Sequence, residues 1–398
     1  MARPIAAEPR ETTASLRLSD AEKSAMEARA KEAGFRSLSD YLRVLVRRDL
    51  EASPKKQSHP RLGKPLTKFH TTKFGAMWNG DSLDWLTQAK PGSVDLVMTS
   101  PPFGLLRKKS YGNEDAHAYC DWFRPFAEGF KRVLKDNGSL VIDIGGAWKT
   151  GLPTRSLYHF ELLIMLCEEY GFHLCQEHYW WNPAKLPTPA EWVNVRRVRV
   201  KDAVNCIWWL SPTPWPKASN RRILAPYSES MKHLLKNGYQ AKTRPSGHVI
   251  SEKFGKDNGG SVPPNLLAIA NTESNGQYQE FCNANNLDVH PARFPALLPE
   301  YFIRMLTDPG DMVLDPFGGS CVTGMVAETL ERRWACVELN MDYLNGAVAR
   351  FEGDLKGQTK MRLAPYSIHA PCAVPVLDEE APLAQDGGKA RPPTTQAA

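Results

Sequence analysis

Three observations predict an α/β chain built on a mainly parallel sheet. The first is the apolar run Val94-Asp95-Leu96-Val97-Met98, which ends at Thr99-Ser100-Pro101-Pro102-Phe103. Proline donates no ladder hydrogen bond and fixes its own φ, so the strand stops there and leaves a stiff loop at the carboxyl edge of the sheet. Ligands collect at such edges. The second is Met312-Val313-Leu314-Asp315-Pro316-Phe317-Gly318-Gly319-Ser320, followed by a helical stretch and then Trp334-Ala335-Cys336-Val337-Glu338-Leu339. This reads strand, glycine turn, helix, strand, acid: a nucleoside-binding crossover in which glycine permits close approach of a ligand. The third is the alternation of other apolar runs with helical patterns, which covers both faces of the sheet.

Taken in order, Thr13 to Leu18 alternates as a short strand, and Ser19 with Glu22 forms a capping box that starts a helix running to about Ala33. Gly34 ends it. Ser37 and Asp40 repeat the pattern before a second helix, whose apolar stripe is Leu42, Leu45, Val46 and Leu50. Residues 1–51 thus form a small module, and residues 52–73 a basic, proline-bearing linker. In residues 74–182, Asn79-Gly80-Asp81-Ser82 marks a turn after a strand, Phe123 to Leu134 a helix, and Ser139 to Ile144 a buried strand. Residues 158–170 read as a helix and 172–180 as a strand. Residues 183–265 break the alternation, being basic, aromatic and loop-rich. Residues 266–365 hold the glycine-turn crossover. The segment 366–398, rich in proline, alanine and small polar residues, has the composition of a disordered tail.

The net charge of +6 over 398 residues is unevenly spread. Residues 1–73 carry 16 Lys and Arg against 9 Asp and Glu, and residues 183–260 carry 14 against 5, so the remainder is acidic. The second basic segment interleaves its cations with Trp192, Trp208, Trp209, Trp215 and Tyr227, a pattern that points to nucleic acid. No apolar run is long enough for a bilayer, and Met1-Ala2-Arg3-Pro4 opens no secretory signal. Eight cysteines without a C-x-x-C pair read as reduced thiols of a cytoplasmic protein, with no metal site. Glu338 follows the glycine turn at about the spacing of an acid that accepts from ribose hydroxyls.

Ser100-Pro101-Pro102-Phe103 and the Asp315 to Ser320 loop together resemble the β group of DNA amino-methyltransferases. That family has a catalytic tetrapeptide [Asp/Asn/Ser]-Pro-Pro-[Tyr/Phe] followed by an Asp-x-Phe-x-Gly-Ser-Gly cofactor loop. The serine and phenylalanine variant is that of cytosine-N4 members. The similarity extends through Arg107 to Asn113, Glu191 to Asn194, Arg199 to Asn205, Thr243 to His248, Lys256 to Asn265 and His290 to Ala296, and covers roughly Phe74 to Phe351.

The resemblance implies a Rossmann-like, S-adenosyl-L-methionine-dependent methyltransferase fold with an inserted target-recognition region. It implies methylation of a base flipped from double-stranded DNA, at a hexamer of the type CAGCTG, either alongside a cognate restriction endonuclease acting on the same site or as an orphan methylase. Ser100, Pro101, Pro102 and Phe103 are then catalytic. Asp315, Phe317, Gly318, Gly319, Ser320 and Glu338 take the cofactor, with Asp81 and Arg293 as further contacts; Asp81 reads equally as the cap of its own turn. Arg196, Arg197, Arg199, Lys201, Arg244, Ser246 and His248 are the candidates for DNA contact. Cys321 departs from the family, which has glycine there. The N-terminal strand-helix-helix resembles a ribbon-helix-helix unit, which implies a homodimer with Arg17 facing a major groove. Adenine N6 is the alternative target atom, and a DNA-binding regulator on a methyltransferase-like scaffold the alternative of another class.

Overall fold

The computed structural model describes residues 19–32, 37–39, 41–42, 65–104, 118–149, 151–238, 255–271 and 276–352. The chain divides into two compact units, residues 1–61 and 62–398. In the first, helix α1 (Asp20–Glu32) begins at the expected capping box. The Ser19 amide donates to Glu22 Oε2 at 2.9 Å, and the Glu22 amide donates back to Ser19 Oγ at 3.3 Å. The strand Thr13 to Leu18, with Arg17, lies outside the described residues. Of the second helix, residues 38–39 and 41–42 are helical.

The second unit is a nine-stranded sheet between two layers of helices. Its strands are β1 (Thr67–Thr71), β2 (Gly75–Asn79), β3 (Val94–Thr99), β4 (Leu134–Ile144), β5 (His173–Trp181), β6 (Val204–Ser211), β7 (Leu266–Ala268), β8 (Met312–Asp315) and β9 (Arg333–Glu338). They lie in the order β1-β2-β9-β8-β3-β4-β6-β5-β7. The central run from β2 to β4 is parallel throughout, whereas β1 and β6 pair antiparallel to their neighbours.

Every residue of β3 is buried, which its near-continuous apolar run anticipates for a strand covered on both faces. Leu96 and Met98 face one core, and Val97 faces the other. The first core takes α7 (Leu297–Leu306), α8 (Val322–Thr329) and α9 (Met341–Ala347). The second takes α2 (Ser82–Gln88), α3 (Tyr119–Val133) and α4 (Tyr158–Glu168). Helix α3 buries Tyr119, Phe123, Phe126, Ala127, Phe130 and Val133, the three-to-four spacing of one helical face. Burying each such aromatic or branched side chain stabilises the fold by about 1.5–3 kcal/mol. Asp95, the polar interruption in β3, is buried too. It accepts from the Met312 amide at 2.9 Å and from Lys135 Nζ at 2.7 Å, joining three chain segments.

The structure corrects the reading of residues 183–265 as a single loop-rich region. Asn205-Cys206-Ile207-Trp208-Trp209-Leu210 forms most of β6, which sits inside the sheet between β4 and β5. Trp208 and Trp209 face opposite cores, so both indoles are structural. Outside β6 the described part of the interval holds a π-helical turn, Glu191–Val195, a 3-10 turn, Asn220–Ile223, and the helix α5 (Glu229–Asn237). Between Gln277 and Ala284 a further helix, α6, precedes the glycine-turn crossover.

Candidate active site

β3 and β8 run parallel, but the progress of the chain across the sheet switches direction between them. From β8 the chain crosses through α8 to β9 on one side, and from β3 it crosses through α3 to β4 on the other. A crevice opens at the carboxyl ends of strands where such a switch occurs. The two motifs meet there. Thr99 Oγ1 donates to Asp315 Oδ1 at 2.8 Å, across a sequence separation of 216 residues. Thr323 Oγ1 at 2.7 Å and the Phe317 amide at 3.1 Å also donate to the Asp315 carboxylate. Burial pushes the Asp315 carboxyl up to about 6, and these three donors hold it from rising further. Asp315 thus shapes the loop from beneath. Thr99→Val is expected to lower stability by about 1–3 kcal/mol, because a buried carboxylate loses a donor. Denaturant unfolding measures this, and an unchanged midpoint would remove the bond from the account.

Above Asp315 the loop closes on β9. The Gly318 amide donates to the Val337 carbonyl at 2.8 Å. Gly319 has φ +51°, and a Cβ there would lie 3.0 Å from His290 Nε2, so glycine is required by conformation and by space. Cys321, where the family has glycine, takes φ +58° as the N-cap of α8 and is buried. The departure therefore keeps the left-handed backbone, at the roughly 1–2 kcal/mol that a side chain adds in that region. The Ser320 carbonyl accepts from Arg350 Nε at 2.8 Å, a contact with no signal in the sequence. Phe317 packs against Trp122 and Phe126, with ring centroids 5.8 and 5.0 Å away.

Glu338, the last residue of β9, accepts the Gly319 amide on Oε2 and the Asn340 amide on Oε1, each at 2.8 Å. Burial raises its pKa, while these amides oppose the rise. Each carboxylate oxygen carries a second lone pair for a ligand hydroxyl. A left-handed glycine turn free of side chains and a fixed acid at the end of the next strand fit the nucleoside of S-adenosylmethionine. Asp81 is the N-cap of α2, accepting from the Leu83 amide at 2.9 Å, so the capping reading holds. Arg293 bonds to Gln279 Oε1 at 3.1 Å and to the His290 carbonyl, over the ring of Tyr278.

Next to this crevice lies a cavity of about 400 Å³ whose lining includes Ser100, Phe103, Asp143, Asn205, Arg293 and Phe294. Ser100 Oγ donates to Asp143 Oδ2 at 3.2 Å, and Asn205 Nδ2 donates to Asp143 Oδ1 at 3.1 Å. Asp143 is buried near the end of β4, and burial lifts its carboxyl to about 6 against the pull of those two donors. Tyr119 Oη donates to the Pro102 carbonyl at 2.9 Å, which anchors the proline turn. A Cβ at Gly145 would lie 2.6 Å from the Phe103 ring, so the ring's seat depends on that glycine. Asp143 and Asn205 were missed as site residues in the sequence. Their only signal was a carboxylate and an amide placed inside apolar strand runs.

The basic candidates divide. The Arg199 guanidinium lies 3.8 Å from the Trp148 ring centroid and bonds to the Pro153 carbonyl at 2.9 Å. Lys201 Nζ donates to the Lys185 carbonyl at 3.0 Å, and Arg196 pairs with Glu191 at 2.7 Å. Arg199 and Lys201 thus brace the cavity wall, a role that charge counting does not distinguish from phosphate contact. Arg197 is exposed, at φ +55°. Arg244, Ser246 and His248 lie outside the described residues.

Comparison with known proteins agrees with this geometry. Residues 94–349 match the family described as DNA methylase. The chain is 54% identical over 285 residues to the type II methyltransferase M.PvuII of Proteus hauseri, covering 71% of this chain and 85% of that protein. It is 25% identical over 292 residues to M.BglII of Bacillus subtilis, covering 72% of each. A solved structure of PvuII DNA methyltransferase (cytosine-N4-specific) superposes with a TM-score of 0.59 at 45% identity, covering 73% of this chain and 92% of that one. The paired motifs, the crevice between β3 and β8 and these similarities lead to one conclusion: the chain belongs to the N6/N4 DNA methylase family.

Proposed function

We propose that this protein transfers a methyl group from S-adenosyl-L-methionine to cytosine N4 within a short duplex site of the type CAGCTG. The observation that carries this reading is the Ser100–Asp143 hydrogen bond in a cavity beside the cofactor crevice. The cytosine-N4 specificity of the PvuII enzyme, 45% identical over the superposed structure, supports the choice of atom. A companion endonuclease acting on the same site is part of the same proposal. The N-terminal unit is proposed to dimerise and place Arg17 on DNA. A cytoplasmic location accords with this work on DNA.

The exocyclic nitrogen of cytosine shares its lone pair with the ring and is a weak nucleophile. Because the Ser100 hydroxyl donates its hydrogen bond to the Asp143 carboxylate, the oxygen lone pairs of Ser100 are left to accept an N4 hydrogen. The Ser100 or Pro101 carbonyl takes the second hydrogen, since Tyr119 already occupies that of Pro102. Two such acceptors reduce conjugation and aim the nitrogen. Phe103 offers its ring as a stacking face for the base. Glu338 holds the ribose hydroxyls, and the loop from Asp315 to Ser320 lines the remainder of the cofactor. When bound, the sulfonium would supply the methyl group as its sulfur–methyl bond breaks to leave a neutral thioether, and the methylated nitrogen would then lose one of its hydrogens as a proton to solvent. The duplex must release its base into the cavity, at an unstacking cost of a few kcal/mol.

Methylation-sensitive sequencing of DNA from cells expressing the protein is expected to show N4-methylcytosine at the inner cytosine of CAGCTG. N6-methyladenine alone would overturn the choice of atom. The rate should also depend on pH with a defined sign. The active form is the ionised Asp143, whose pKa is raised to about 6, so activity is held above that value and lost as pH falls through it. Single-turnover rates against pH check this. A profile flat from pH 5 to 8 would remove Asp143 from the mechanism.

A further inference from the structure

The proposed reaction requires a nucleotide to leave the duplex, and its departure opens a gap in the base stack. Proteins that partially unstack DNA frequently do so by inserting apolar side chains between base steps. We propose that Val198 and Val200 are a wedge that enters the gap left by the target cytosine. The inference rests on the proposed function and adds a residue pair that no catalytic or cofactor motif includes.

The excursion from β5 to β6 leaves and rejoins the sheet at the mouth of the base cavity. The Asn182 amide donates to the Ala203 carbonyl at 2.8 Å, and the Asp202 amide to the Thr188 carbonyl at 3.2 Å, so both limbs are tied together. Lys185, Thr188 and Pro189 on the outgoing limb and Asp202 and Val204 on the return all line the cavity. The tip is therefore fixed at the rim.

On the return limb, successive side chains part company. Arg199 lies against Trp148 and reaches Asp202 at 3.5 Å, while Lys201 donates to the carbonyls of Pro183 and Lys185. The two valines interleaved with these cations are left outside, Val198 at 60% exposure and Val200 at 84%. A single exposed valine is ordinary. Two beside the exposed Arg197, on a limb whose Asp202 and Val204 line the base cavity, make an apolar stretch with a cationic neighbour. That combination suits a DNA duplex, whose phosphates meet Arg197 while the opened step accepts the valines. It suits a second copy of this basic segment poorly, because like charges would be brought together.

The test is the Val198→Ala, Val200→Ala double variant of the full chain. Its single-turnover methylation is compared with that of the wild type on two duplexes, one fully paired and one with the target cytosine mispaired. Mispairing already lowers the flipping cost, so a wedge is needed less. The variant should lose roughly tenfold or more on the paired duplex and stay within about threefold of wild type on the mispaired one. Fluorescence of 2-aminopurine placed at the target position should rise less with the variant. Equal losses on both duplexes, no loss on either, or a loss that follows a change in oligomeric state would overturn the wedge. A wild-type protein that methylates neither duplex would overturn the proposed function itself.

Discussion

Ser100→Ala is expected to lower the single-turnover methylation rate by about 10²–10³-fold while leaving duplex affinity nearly unchanged. The magnitude is that of removing one preorganised hydrogen-bond partner from a reacting group. The asymmetry follows from when the bond matters. In the ground state water or the carbonyls of the proline turn can serve the amino hydrogens. As the nitrogen pyramidalises, an acceptor at the position of Ser100 Oγ becomes decisive. Ser100 is oriented by Asp143, which Asn205 Nδ2 holds at 3.1 Å, so Asp143→Asn should add little to the loss already caused by Ser100→Ala. Rapid-quench rates and equilibrium titration with duplex separate the two quantities. An unchanged rate would end the assignment of Ser100.

The second large effect is expected for Glu338→Ala, which should weaken S-adenosylmethionine binding by about 10–100-fold. Hydrogen bonds to a charged partner contribute about 1.5–3 kcal/mol each, and here one carboxylate serves two purposes. It accepts the ribose hydroxyls in the proposed complex. It also ties the Gly319 amide to the Asn340 amide, so its loss releases the glycine turn. Glu338→Gln keeps one acceptor and the size of the side chain, and should fall between wild type and alanine. Calorimetric titration reads the affinity, with duplex binding as the control that should not move. Wild-type affinity in the alanine variant would take Glu338 out of the site.

Much of this site was legible along the chain because its two halves are local. Pro101 and Pro102 end β3 by their own chemistry, and the Gly318-Gly319 turn with Glu338 follows from one crossover. The parallel sheet was legible as well, in the buried run of β3 and the face of α3. Other parts depend on which strands become neighbours. Asp143 and Asn205 reach Ser100 only because β4 lies between β3 and β6, and no local pattern encodes that order. β6 was hidden within a basic interval, where its two tryptophans resembled nucleic-acid contacts. Arg199 and Lys201, read from their charge as candidates for DNA contact, also reach carbonyls and an indole within the chain, which no local pattern announces.

The order of strands in the sheet bears on how the protein comes to be made. β8 and β9 are the last strands synthesised, yet they occupy the middle of the sheet between β2 and β3. Until residues 312–338 leave the ribosome, β2 and β3 each present an open parallel edge, the kind of surface that pairs wrongly when exposed. The same order gives a safeguard. A nascent or prematurely ended chain carries the Ser100 turn without Asp315 beside it, and so has no crevice for a methyl donor. By the time β8 inserts and the crevice exists, the basic interval proposed to read DNA has already been made.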